Sequence, residues 1–237
     1  MRILGIQKKG KGKAAPTSFR SQVGSLIFLV VIFFLNFLSR IVLAPLMPTV
    51  EGDLKIGHEE AGSLFFIISL GYCMMLLGSG FVSSRLNHRR SIIVSSMAVG
   101  GALLIIGFTH HLWGVRFGLI ILGMAAGLYL PSGILTIIQL VRPKDLGKAM
   151  AIHELAPNLG TVVAPLLAEV LLGWFSWQGV LMLLGIASML GGGVFAFWGK
   201  GGGFYGEAPN FRIMRSMFVE PSILILIVLY ALGLGMS

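Results

Sequence analysis

Arg40 stands inside an unbroken apolar run, residues 24–47, with no acid beside it. A charge held in hydrocarbon is costly, so such residues face a cavity or a partner and are functional candidates by default. The guanidinium keeps its charge at any pH and donates two parallel hydrogen bonds, which suits a carboxylate, a phosphate or an inorganic oxyanion. Asn36 lies one turn earlier on the same helical face. Two other readings stay open: Arg40 snorkels to the interface, or it pairs with an acid on another helix.

Two further segments carry polar side chains at helical spacing. Tyr129, Ser132, Thr136 and Gln139 share one face of an apolar segment. Such a stripe lines a cavity or bonds a neighbouring helix. The next apolar segment carries His153, Glu154, Asn158, Thr161 and Glu169, and Glu154, Asn158 and Thr161 share a face with Pro165. His153, Glu154 and Glu169 are the candidates for carrying a coupled ion, since His titrates near neutral pH and a carboxylate at membrane depth takes up a proton. Glu169 is also the candidate partner of Arg40, whereas Glu154 lies near a helix end where solvation is the simpler reading.

Other chemistry is not encoded. Gly191-Gly192-Gly193 and Gly201-Gly202-Gly203 lack the Lys-Ser/Thr of a phosphate loop. No nucleophile constellation or zinc spacing occurs, and no cofactor is called for. Cys73 is expected to be a buried packing residue. His110-His111 is expected to be an exposed turn. We expect no enzyme, no catalytic residue and no metal site.

The elements around these residues follow from composition. Only 11% of the 237 residues are charged and 56% are hydrophobic. A soluble domain carries about twice that charged fraction. The apolar residues fall in blocks of about twenty or more, the length of a bilayer-crossing helix. The net charge of +9 marks one membrane side and does not point to nucleic acid. We expect an all-α polytopic membrane protein.

Residues 1–22 form a basic tail without acids, expected in the cytoplasm. Helix one covers about 24–47 and opens into an acidic loop at 48–60. Helices two to six cover about 61–82, 91–109, 115–140 (with Pro131 inside), 149–172 and 180–198. The loop 199–220 is basic and Gly-rich, and a seventh apolar run, 221–237, is expected to be a truncated helix. Of 18 Lys and Arg, all fall on the inner side of this topology except Lys55 and Arg116 outside and Arg40 within helix one, as the positive-inside rule requires. Trp113, Trp174, Trp177 and Trp198 fall at helix ends, where an interfacial belt is expected.

Between helices two and three lies Gly80-Phe-Val-Ser-Ser-Arg85-Leu-Asn-His-Arg89-Arg90. Gly80, Arg85, Arg89 and Arg90 resemble the signature loop of the major facilitator superfamily, although Ser84 and Asn87 stand where that loop has Asp and a second Gly. Gly160-Thr-Val-Val-Ala-Pro165 is similar to the family's antiporter motif, with Ala164 in place of its first Gly and Ala168-Glu169 in place of its Gly pair. Leu119 stands where helix four often has Arg. The resemblance implies a six-helix N-terminal bundle at 23–198, an inter-bundle loop and the start of a second bundle.

It also implies gradient-driven transport of a small solute by alternating access, with Asn36, Arg40, Tyr129, Ser132, Thr136 and Asn158 around the substrate. The lean is to a small organic or inorganic anion moved by symport, with the direction of transport and a proton or sodium ion as co-substrate left open. The partners implied are the lipid bilayer, the solute and a second half, either the missing C-terminal one or a second copy. The expected location is a bacterial inner membrane. The alternatives are an efflux antiporter, a half-size or non-transporting membrane module, and an inactive fragment.

Overall fold

The computed structural model describes residues 19–206. The rest of the basic tail and the seventh apolar run lie outside the described residues. Eight α-helices follow in order: α1 (Phe19–Ile41), α2 (Leu43–Leu54), α3 (His58–Arg85), α4 (His88–Gly107), α5 (Leu112–Gly127), α6 (Tyr129–Leu140), α7 (Leu146–Leu172) and α8 (Trp177–Trp198). A short 3-10 turn, Pro143–Asp145, leads into α7.

Two breaks are only kinks, so these helices make six spans. Val42 and Leu128 keep right-handed helical backbone angles. Pro45 lacks the N–H that would bond the Ile41 carbonyl, and Pro131 the one for Gly127. Each proline therefore breaks the ladder three or four residues upstream, and α1–α2 and α5–α6 each run on as one bent span.

The spans pack where small residues allow it. A side chain added at Gly123 on α5 would run into the Ile68 carbonyl oxygen of α3, and one at Gly127 would stand 2.6 Å from the Tyr72 carbonyl oxygen. Such backbone-to-backbone approach is how membrane helices associate when lipid is as apolar as leucine. Coverage is uneven. In an apolar 18-residue stretch of the α5–α6 span 61% of residues are buried, against 17% in such a stretch of the α3 span and 22% in that of the α7 span. The open faces of α3 and α7 carry large apolar side chains, among them Phe66, Leu77, Leu159 and Val162.

Several expectations are corrected. The first helix begins at Phe19, inside the stretch expected as tail, and the first span continues through Pro48, Glu51 and Asp53 to Leu54. The expected acidic loop shrinks to residues 55–57. Lys55 closes the helix with a left-handed backbone, φ 53°. Trp177 is no interfacial anchor: it is buried, and its Nε1 donates to Asp53 Oδ2 at 2.9 Å. Gln178 Nε2 donates to the same oxygen at 2.9 Å, so the carboxylate at the end of α2 ties down the start of α8. Trp113, Trp174 and Trp198 are exposed, as a belt requires. Cys73 is exposed, because it turns away from the glycine face by which α3 packs.

Candidate functional site

Arg40 lies near the end of α1, just before the kink that Pro45 imposes. Its guanidinium carbon stands 4.3 Å from the centre of the Tyr72 ring of α3 and 5.4 Å from that of Phe37. Cation–π contact of this kind holds a guanidinium without consuming its hydrogen-bond donors. Its Nε is buried and has no hydrogen-bond partner. An unsatisfied charged donor is expensive, so it marks a place where a partner is wanted.

Arg40 opens into a cavity of about 330 Å³ lined by Phe37, Ile41, Ala44, Phe65, Ile68 and Ser69. That volume falls within the range of small-molecule sites, and its apolar walls with one charged group match their usual make-up. Ion pairs among the described residues include His58–Glu51, Arg116–Glu60 and His153–Glu154. None involves Arg40, and Glu169 is exposed on α7.

The remaining candidates separate into two groups. Asn36 is buried, and its Nδ2 donates to Ser95 Oγ of α4 at 3.4 Å. Ser95 in turn donates to the Ala125 carbonyl at 2.6 Å. Tyr129, Ser132 and Thr136 are buried as well. Tyr129 donates to the Leu29 carbonyl at 2.7 Å, Ser132 Oγ lies 3.2 Å from His88 Nδ1, and Thr136 donates back to the Ser132 carbonyl at 2.7 Å. In this half Asn36, Tyr129 and Ser132 join helices, and Thr136 bonds within its own. Glu154, Asn158 and Thr161, by contrast, lie exposed along α7.

The signature-like turn is tightly built. Asn87 caps α4, its Oδ1 accepting from the Arg90 amide at 2.9 Å, which explains why an Asn serves where the family has Gly. Arg85 and Arg90 are exposed, and Ser83 donates to the Gly80 carbonyl at 3.2 Å. Arg89 Nη2 donates to the Ala196 carbonyl at the end of α8 at 2.9 Å.

The chain then folds back over this turn as a strap. The Arg89 amide donates to the Gly202 carbonyl at 2.8 Å, the His88 amide to that of Phe204 at 3.1 Å, and the Gly206 amide to that of Ser83 at 2.8 Å. Gly202 has φ +71°, and a Cβ there would stand 2.8 Å from the Arg89 nitrogen. Glycine is required there on both counts.

The sequence reading missed Tyr72, Phe37 and Ser69 around Arg40, and the strap. The polar or aromatic character of these residues was visible. Which face of α3 meets Arg40 was not.

Comparison with known proteins agrees with this architecture. A bacterial homologue of the human lysosomal transporter Spinster, solved in an inward-facing unoccupied conformation, superposes with a TM-score of 0.74 at 16% identity, over 86% of this chain and 50% of that one. The human voltage-gated purine nucleotide uniporter SLC17A9 is 24% identical over 143 residues, 58% of this chain and 33% of that protein. The multidrug transporter DTR1 of Candida glabrata is 30% identical over 149 residues, 62% of this chain and 27% of that protein. The chain thus spans a third or less of these two relatives. The sequence model of the Major Facilitator Superfamily matches residues 29–237. Six apolar spans, the basic turn and this match over most of the chain make it an integral membrane protein that belongs to the Major Facilitator Superfamily.

Proposed function

We propose that this chain supplies the first bundle of a gradient-driven transporter that moves a small anion by alternating access, with Arg40 as the anion-binding group. The observation that carries the reading is Arg40 itself: a guanidinium held by two rings, with a buried unpaired donor, at the wall of a cavity of about 330 Å³. The exposed apolar faces of α3 and α7 supply surface for a second bundle at 221 onward or in another copy, and residues 199–220 are the link between bundles. A second bundle closing over Arg40 leaves the anion between the two halves. The nucleotide relative favours an anion. The multidrug relative is the observation in favour of the second reading, an efflux antiporter for apolar or cationic compounds.

The test is uptake into proteoliposomes by the complete gene product, across a panel of carboxylates, sulfonates, phosphates and nucleotides, with an apolar cation as the opposite probe. Arg40→Ala is expected to lower anion uptake at least tenfold, and Arg40→Lys, which keeps charge but loses the planar fork, to recover only part of it. Unchanged anion uptake in Arg40→Ala overturns the assignment. Orientation is read separately. The basic turn is placed in the cytoplasm of a bacterial inner membrane, with the N-terminus on the same side, so Arg85→Cys in a Cys73→Ser background is expected to resist an impermeant thiol reagent applied to intact cells. Ready labelling inverts the topology.

A further inference from the structure

His153 is completely buried on α7, although it is one of the few ionisable groups in the spans. Its ring is stacked on Phe33 of α1, with 4.3 Å between centroids and 7° between planes. Phe33 also stacks on Tyr129 at 5.2 Å. The ring is therefore fixed in plane, with each nitrogen committed to one neighbour. Nε2 lies 3.3 Å from the Tyr129 hydroxyl, and Nδ1 lies 3.4 Å from Oε1 of Glu154.

The hydrogens can be counted. The Tyr129 hydroxyl has a single hydrogen and gives it to the Leu29 carbonyl at 2.7 Å. Towards His153 its oxygen is then an acceptor only, so Nε2 carries a hydrogen. A neutral imidazole has just one N–H, which leaves Nδ1 with a bare lone pair facing a carboxyl oxygen. Two lone pairs do not bond. A hydrogen bond across that gap requires one more proton, either on Nδ1 as imidazolium against carboxylate, or on Oε1 as carboxylic acid against neutral imidazole. Both arrangements hold the same number of protons.

We infer that His153 and Glu154 together form a single proton-binding site, oriented by Tyr129 and Phe33. The titratable groups facing the ring are Tyr129 from α6 and Glu154 from α7 itself, while α1 contributes Phe33 and the Leu29 carbonyl. The site has a closed side and an open side. His153 has no solvent exposure, whereas the Glu154 side chain is 53% exposed, on the α7 face shared with Asn158 and Thr161. Glu154 is thus the door for the proton and His153 the fixed wall. Loss of the proton leaves the Nδ1 lone pair against a carboxylate, and the carboxylate, free on its exposed side, is the partner that turns away. A link from this proton to solute movement rests on the transport reading above. The shared proton does not.

The test uses the complete protein in lipid, labelled with ¹⁵N in histidine and ¹³C in glutamate side chains, and followed by solid-state NMR across pH. His153→Gln assigns the signal among the five histidines. The Nδ1 signal of His153 and the carboxyl carbon of Glu154 are expected to move with one common midpoint, while the Nε2–H signal persists throughout. In Glu154→Gln, an exposed position that tolerates change, the amide donates to Nδ1 without a titrating proton, so the Nδ1 signal is expected to stop moving over that range. Separate midpoints, or an Nδ1 titration unchanged in Glu154→Gln, overturn the shared site. If the protein transports an anion, Glu154→Gln is further expected to exchange it but no longer accumulate it against a proton gradient. Retained proton-driven accumulation removes the coupling role and leaves the NMR result standing.

Discussion

The polar stripe of α6 and the polar stripe of α7 have the same helical period and opposite fates. Tyr129, Ser132 and Thr136 are sealed inside the bundle, bonded to α1, to α4 and to their own helix. Glu154, Asn158 and Thr161 are left on the open face, where Asn158 and Thr161 bond only backwards to the carbonyls of Glu154 and Pro157. Inside a membrane bundle a polar group stabilises only if a neighbouring helix brings it a partner. The α6 span has such neighbours and α7 has few, being among the least covered spans. The difference teaches that a stripe's role is set by the helix's position in the bundle. One stripe holds helices together, and the other is available to a second bundle, to water or to a solute.

Substitutions sharpen that contrast. The largest effect is expected from Ser132→Leu, which forces bulk into a filled site and strips His88 Nδ1 of its partner, at about 3 kcal/mol or more. A large fall in the thermal midpoint of the purified protein, or no folded protein at all, is the expected result, and an unchanged midpoint would mean that α6 is loosely packed. Tyr129→Phe comes next. It keeps the ring stack but removes the extra hydrogen bond to the Leu29 carbonyl and leaves His153 Nε2 without its partner, a loss of about 1–2 kcal/mol, read in the same unfolding experiment. The smallest stability effect is expected from Asn158→Ala combined with Thr161→Val, within about 0.5 kcal/mol. The same pair is expected to change transport several-fold. If it unfolds the protein and leaves transport intact, the two stripes do not differ as described.

Arg40 and Asn36 repeat the contrast on one helix. They are one turn apart, yet Asn36 bonds into the bundle through Ser95 while Arg40 keeps a buried unpaired donor beside a cavity. Sequence spacing put them on one face. It did not show that α4 would reach only the first of them.

Much of the fold was legible. The six spans were visible because about twenty apolar residues in a row have few alternatives to crossing a bilayer. Pro131 announced the bend in the fourth span. Other features were hidden because they depend on contacts between distant segments. Asp53 looked like a loop acid until Trp177 and Gln178 were seen to donate to it. Cys73 looked buried because α3 is apolar all round, and hydropathy alone does not say which side meets α5. The strap at 200–206 looked like a plain linker, although its positive-φ glycines were in view as a Gly-rich run.

The sequence by itself determined the six spans of the described residues, which ends of the helices are basic and the bend at Pro131. These follow residue by residue, from the transfer cost of each side chain and from the missing N–H of proline. Only the tertiary structure decided which polar groups are partnered and which remain free. Partnership belongs to a pair of helices, and the glycines that let α3 approach α5 act across a contact that no single segment encodes.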